Sequence, residues 1–276
     1  MIDAIASLLG TVIRFIYNIV GENYGLSIII FAIVTKFILF PVNLKQSKSM
    51  EEMKKISPME QEIKKKYKGD KEKIALETQK LYSEHKINPL GGCLPALIQL
   101  PIIIAMFYIV KQPLTYIKQM PKKEIAPYVQ EMMNTKDKIS NTDLRNYEIL
   151  VASKNKLLDM KFLGINFGDI PSNVFNKKIE NKPSYYTLIV PVISLVLSII
   201  QTKMTLKSSN MTDEQKEQQK TLNTMMPLLS AYISYIMPLA LGVYWLVGNV
   251  CQIIIQQIIN KIIKDKKIML KGEISK

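Results

Sequence analysis

Along this chain apolar and polar residues fall into blocks rather than recurring at helix or strand period. Apolar blocks of about twenty residues are separated by stretches crowded with lysine. A half-buried soluble helix repeats its apolar residues every third or fourth position, and a strand every second. Unbroken blocks of this length instead match a hydrocarbon core of about 30 Å, which about 20 helical residues cross.

Residues 25–44, 93–110 and 185–202 form three such blocks. From Thr221 to Asn260 there is then no charged residue at all. As one helix that run would be about 60 Å long, about twice the hydrocarbon core. It is expected to fold back at "IMPLALG", where Pro238 and Gly242 mark the reversal, giving spans 221–240 and 241–260. The pattern predicts an all-α polytopic membrane protein with five transmembrane helices. Residues 4–20 are apolar but short, contain Arg14 and follow Asp3 rather than a basic leader. Residues 1–24 are expected to hold an interfacial amphipathic helix, with an uncleaved signal-anchor as the alternative.

Charge sets the orientation. The chain has 276 residues, is 48% hydrophobic and carries a formal net charge of +14 from 37 Lys+Arg against 23 Asp+Glu. Twelve lysines fall in 45–92, four in 203–220 and six in the tail 261–276, all on one side of a five-span chain. Lysine-rich short loops face the cytoplasm, which puts the C-terminus inside and residues 1–24 outside. The loop 111–184 then lies outside although it holds thirteen Lys/Arg. It is longer than about 60 residues, where the rule loses force.

Within 45–92, "ISPMEQEIKKKYKGDKEKIALETQKLYSEHK" predicts two helices and a turn. Ser57 is the expected N-cap, with Pro58 at the first helical position and Glu60 completing a capping box. Met59, Ile63 and Tyr67 make one apolar seam; Ile74, Leu81 and Tyr82 make a thinner second one. The segment is expected to be a cytoplasmic antiparallel helical hairpin, acting either as a docking arm or as a solvated spacer. Asn88-Pro89 and Gly91-Gly92 would join it flexibly to the next span.

One residue breaks the greasy pattern. Lys36 stands near the middle of 25–44, and a cation at mid-bilayer costs about 3 kcal/mol or more. The five blocks contain no Asp or Glu to pair with it. They do contain uncharged polar side chains: Gln99, Gln201, Asn249 and Gln252. Each alone reads as helix–helix hydrogen bonding; together with an unpaired lysine they imply a hydrated positive groove. Coupled transporters usually place an acid or histidine at mid-membrane, and none is present here. No nucleotide loop, nucleophile elbow or zinc signature occurs, so no catalytic residue, metal or cofactor is implied. Cys93 and Cys251 lie at apolar blocks and read as small hydrophobes, and His85 sits among lysines as a solvated residue.

The runs "KFILFPVNLKQSKSMEEMKKISPMEQEIKKKYKGDKEK", "INPLGGCLPALIQLPIIIAMFY" and "YWLVGNVCQIIIQ" carry a resemblance. The chain resembles the YidC/Oxa/Alb membrane protein insertases, in the short five-span bacterial branch, from about residue 24 to 260. The resemblance implies an insertase and chaperone in the bacterial cytoplasmic membrane. Client segments would enter a groove open to cytoplasm and lipid and leave into the bilayer. Family members carry an arginine where this chain has Lys36, so the charge is kept and the guanidinium fork is lost. By resemblance Gln201 and Trp245 also belong to the groove. Met106, Met225, Met226 and Pro227 are candidates for the surface along which clients slide, each with ordinary packing or lipid contact as the alternative. The implied partners are nascent membrane proteins and the lipid bilayer. A Sec translocon, the ribosome and targeting factors are further partners left open, the basic tail suiting a phosphate-rich surface. No nucleic-acid sequence specificity is implied. A small solute channel or transporter, and an assembly factor without insertion activity, stand as alternatives.

Overall fold

The structure, a computed structural model, describes residues 2–87, 94–176, 182–207 and 213–274. The Asn88-Pro89 and Gly91-Gly92 joint and Cys93 lie outside these residues. Helices dominate what is described: α1 (Ile2–Ile19), α2 (Tyr24–Ile38), α3 (Phe40–Lys66), α4 (Lys71–Glu84), α5 (Leu94–Lys111), α6 (Lys122–Met133), α7 (Asn141–Lys154), α8 (Ile189–Lys207), α9 (Asp213–Ile236) and α10 (Leu239–Ile274). Among the described residues the one sheet is a two-stranded antiparallel hairpin, β1 (Lys161–Phe162) with β2 (Ile165–Asn166). The chain is an all-α membrane protein.

Ile2–Ile19, Tyr185–Met204 and Leu239–Asp265 are each long and apolar enough to cross a membrane. The pair α2 and α3, bent by 47°, adds a fourth candidate, and Ile98–Lys111 and Thr224–Ile236 are shorter apolar helices. The reversal expected after residue 221 falls at Pro238, between α9 and α10. Gly242 is not part of it: it lies inside α10, facing Val190 of α8.

The block 25–44 is helical but not straight. α2 stops at Ile38, Leu39 adopts φ −83° and ψ −3°, and α3 restarts with Pro41 in its first turn. A proline there has no N–H to give to the preceding turn, and its ring crowds the backbone before it, so the helix re-forms at an angle. α3 then runs on past residue 44 without a break.

The expected capping box at Ser57 and Glu60 is absent because α3 passes straight through Pro58. Ser57 and Glu60 are buried instead, at 7% and 5% exposure. The Glu60 carboxylate pairs with Lys64 at 3.2 Å and accepts a hydrogen bond from the Tyr82 hydroxyl at 3.2 Å, tying α3 to α4. A carboxylate committed to a neighbouring helix is not available as a cap. Asp70 does cap α4, accepting from the Lys73 amide at 2.9 Å.

α1 is built into the bundle, packing against α2, α5 and a π-helical turn at Leu114–Lys118. Ala6, Gly10, Ile13 and Tyr17 form its buried stripe at the three-to-four spacing of one helix face. Leu8, Phe15 and Ile19 are exposed and apolar.

Within the loop 111–184, residues 111–176 cap one end of the bundle. Asn23 accepts from the Leu26 amide to cap α2, and its Nδ2 donates to Asp159 Oδ2 at 3.1 Å and to the Lys161 carbonyl at 2.8 Å. The Tyr24 amide donates to the Asp159 carbonyl at 2.9 Å. At the start of α10, the Leu239 and Ala240 amides donate to the carbonyls of Asp169 and Phe167 at 2.8 and 2.9 Å. The free N–H groups of two helix N-termini are thus satisfied by one loop. Gly25 makes the close fit possible, since a Cβ there would lie 2.8 Å from Phe162 Cβ. Glu148 of α7, fully buried, accepts from both the amide and the hydroxyl of Thr115 at 2.6 and 2.8 Å and anchors the π turn.

Candidate functional site

Three helices converge on Lys36. Because α2 ends two residues later, Lys36 sits in its last turn, where the helix dipole favours a cation. That position, rather than the centre of a straight span, is the main departure from the sequence expectation. The side chain is half-buried, and its Nζ donates to Gln99 Oε1 of α5 at 3.5 Å. From α10 comes Gly248: a Cβ built there would stand 3.2 Å from Lys36 Cε and 3.9 Å from Nζ. The amine lies against bare backbone of α10, and Cys251, one turn on, is near enough to feel its charge. No carboxylate pairs with Lys36 among the described residues.

Tyr244 of α10 is buried on the same flank, stacked on Phe31 of α2 with ring centroids 6.1 Å apart. Its hydroxyl approaches Gln99 but meets no partner in hydrogen-bond geometry. The cluster is therefore one cation, one amide oxygen, one thiol and one phenol at a junction of α2, α5 and α10.

The other expected groove residues do not all join it. Asn249 is buried and turned the other way, its Nδ2 donating to Ser198 Oγ of α8 at 3.1 Å. It belongs to a seam of buried hydroxyls: Ser198 donates to Ser230 at 3.1 Å and Ser234 to Ser194 at 3.4 Å, joining α8, α9 and α10. Gln201, Trp245 and Gln252 are half-buried on α8 and α10. Met106 is 0% exposed and belongs to the apolar core, which gives it a packing role. Met225 and Met226 are more than half exposed on α9, with Pro227 buried beside them.

Sequence reasoning missed Gly248, Cys251 and Tyr244 around the lysine, and the serine seam. Glycine inside a helix costs about 1 kcal/mol against alanine, which signals a close approach, but a single sequence does not say by what. Ser194/Ser198 and Ser230/Ser234 each stand four apart, so each pair shares a helix face; that spacing was a readable signal.

Residues 15–267 match the family model described as "60Kd inner membrane protein". A protein of Fusobacterium nucleatum named membrane protein insertase YidC is 33% identical over 260 residues, covering 93% of this chain and 97% of that protein. A protein of the same name from Caldanaerobacter subterraneus is 30% identical over 269 residues, covering 98% of each. One from Chlamydia trachomatis is 29% identical over 96% of this chain, which spans 29% of that longer protein.

Proposed function

Because the chain belongs to the 60Kd inner membrane protein family, we propose that it is a membrane protein insertase working through Lys36. It is a multi-pass protein of the bacterial inner membrane, with the five spans and the cytoplasmic C-terminus read from the sequence. Client segments carrying acidic or polar groups are drawn toward the Lys36 amine. The apolar flank of the client moves into lipid past the exposed methionines of α9, and burying about 20 apolar residues drives that step. Gln201, Trp245 and Gln252 complete the walls of a hydrated groove. The cap formed by 111–176 closes its outer end, and the α3–α4 pair receives clients on the cytoplasmic side.

The single observation that carries this reading is the cation itself: three helices meet at Lys36, and among the described residues no acid neutralises it. The 3.5 Å contact to Gln99 is long for a hydrogen bond and leaves the ammonium under-satisfied. A group in that state attracts an anion or polar segment without holding it permanently.

The test is reconstitution in vesicles with a single-span client whose translocated tail is acidic, scored by protease protection. Lys36→Arg keeps the charge and should retain insertion. Lys36→Ala should reduce it roughly tenfold or more, the equivalent of about 1.4 kcal/mol of lost attraction. Insertion by the Ala variant at the wild-type rate would overturn the role given to Lys36.

A further inference from the structure

A second cationic site lies at the other end of α5, away from Lys36. Phe107 and Tyr108 are consecutive, with rings edge to face at 82° and centroids 5.7 Å apart. Each carries one cation. Lys111 Nζ stands 4.9 Å from the centre of Phe107, and Arg145 Cζ of α7 stands 4.8 Å from the centre of Tyr108. Adjacent rings thus hold an ammonium and a guanidinium close enough to feel each other's charge. Such cation–ring contacts stabilise each cation but leave the charge un-neutralised.

Neither cation has an acidic partner among the described residues. The nearest buried acid on α7 is Glu148, one turn beyond Arg145, and both its oxygens are taken by Thr115. Arg145 Nε is buried with no acceptor. A buried donor without an acceptor is uncommon in folded proteins and points to a missing group. An anion that offers more than one oxygen suits this position, because the guanidinium presents a planar fork beside an ammonium.

We infer that Lys111 and Arg145 bind the phosphodiester headgroup of an anionic lipid. The position favours a lipid over a dissolved ion. Lys111 ends the apolar helix Ile98–Lys111, and amphipathic rings followed by a cation mark the headgroup level of a bilayer. Half-exposed Phe107 and Tyr108 line the acyl side and the two cations the phosphate side. A lipid there would fasten α7, and through Glu148 the π turn, to the membrane boundary.

The experiment uses the full-length chain, delipidated in neutral detergent. It is titrated with phosphatidylglycerol, phosphatidylcholine or inorganic phosphate, and bound lipid is counted by native mass spectrometry. Phosphatidylglycerol should bind in preference to phosphatidylcholine, and Lys111→Gln with Arg145→Gln should weaken it roughly tenfold or more. Lys136→Gln with Lys138→Gln removes the same charge from exposed positions in the same loop and should change nothing. Arg145→Lys keeps the charge and loses the fork, so it should weaken binding only severalfold, and it guards against a double variant that fails to fold. Equal binding of the two lipids, or full phosphatidylglycerol binding by the double Gln variant, would overturn the inference. Displacement of the lipid by millimolar phosphate or by an acidic client peptide would assign the site to those instead.

Discussion

Raising the pH should loosen the cap built by residues 111–176, because one buried carboxyl group anchors it. Glu148 is 0% exposed and receives the Thr115 amide and hydroxyl. Burial pushes its carboxyl from the usual 4.5 up to about 7, although the hydrogen bonds from Thr115 and Gln112 pull the other way. The sign follows from the folded value lying above the unfolded one. Below 4.5 both states hold the proton; between 4.5 and about 7 only the folded state does. The stabilisation is complete at the acid end and is lost as pH rises through that window. A gap of about 2.5 pKa steps corresponds to roughly 3 kcal/mol. The Thr115 amide reports it directly, since it donates to this carboxylate. Hydrogen exchange of a peptide spanning 112–120, corrected for intrinsic rates, should show protection falling roughly a hundredfold from pH 5 to 8. Glu148→Gln has nothing to titrate and should be flat over the same range. Wild-type protection that does not vary with pH, or a Gln variant with the same slope, would refute the reasoning.

Three further outcomes are expected. Asn23→Ala removes an N-cap and two hydrogen bonds to the cap, and should destabilise the protein by about 2 kcal/mol, read as a lowered midpoint of thermal unfolding in detergent. Ser198→Ala strands the Asn249 amide in the α8–α10 seam and should cost about 1 kcal/mol in the same measurement; adding Asn249→Leu should recover part of it. Gly248→Ala gains about 1 kcal/mol of helix propensity but sets a methyl group 3.2 Å from Lys36 Cε. It should leave stability near or above wild type while lowering client insertion, and unchanged insertion would show that the lysine has room to move.

The membrane character of the chain was legible because it depends only on block length and charge. The helix break at Pro238 was legible from the length of the uncharged run, which is too long for one span; proline alone does not mark it, since Pro227 in the same run stays inside α9. What escaped was anything set by one helix meeting another. Ser57, Pro58 and Glu60 carry a local N-terminal signature, yet α3 runs on through them, with Glu60 engaged by Lys64 one turn on in the same helix and by Tyr82 of α4. The loop 111–184 gave no role from composition, because its function in the fold lies in backbone carbonyls at Asp159, Phe167 and Asp169 that receive helix N-termini. Carbonyls are the same in every residue, so their partners leave no mark in a sequence.

Lys36 shows how such a gap bears on function. In sequence it stands mid-block, at full cost; in the fold the break at Leu39 puts it at a helix end, where the dipole returns about 0.3–1 kcal/mol. Gln99 supplies one distant oxygen and Gly248 supplies space rather than charge. These features make the cation tolerable without satisfying it. An acid among the neighbours would make the site more stable and would remove the attraction for a client proposed above. The same reasoning separates Lys36 from Asn249, which sequence alone put in one class. Asn249 is satisfied by Ser198 and holds helices together, whereas the Lys36 amine meets the Gln99 oxygen only at 3.5 Å.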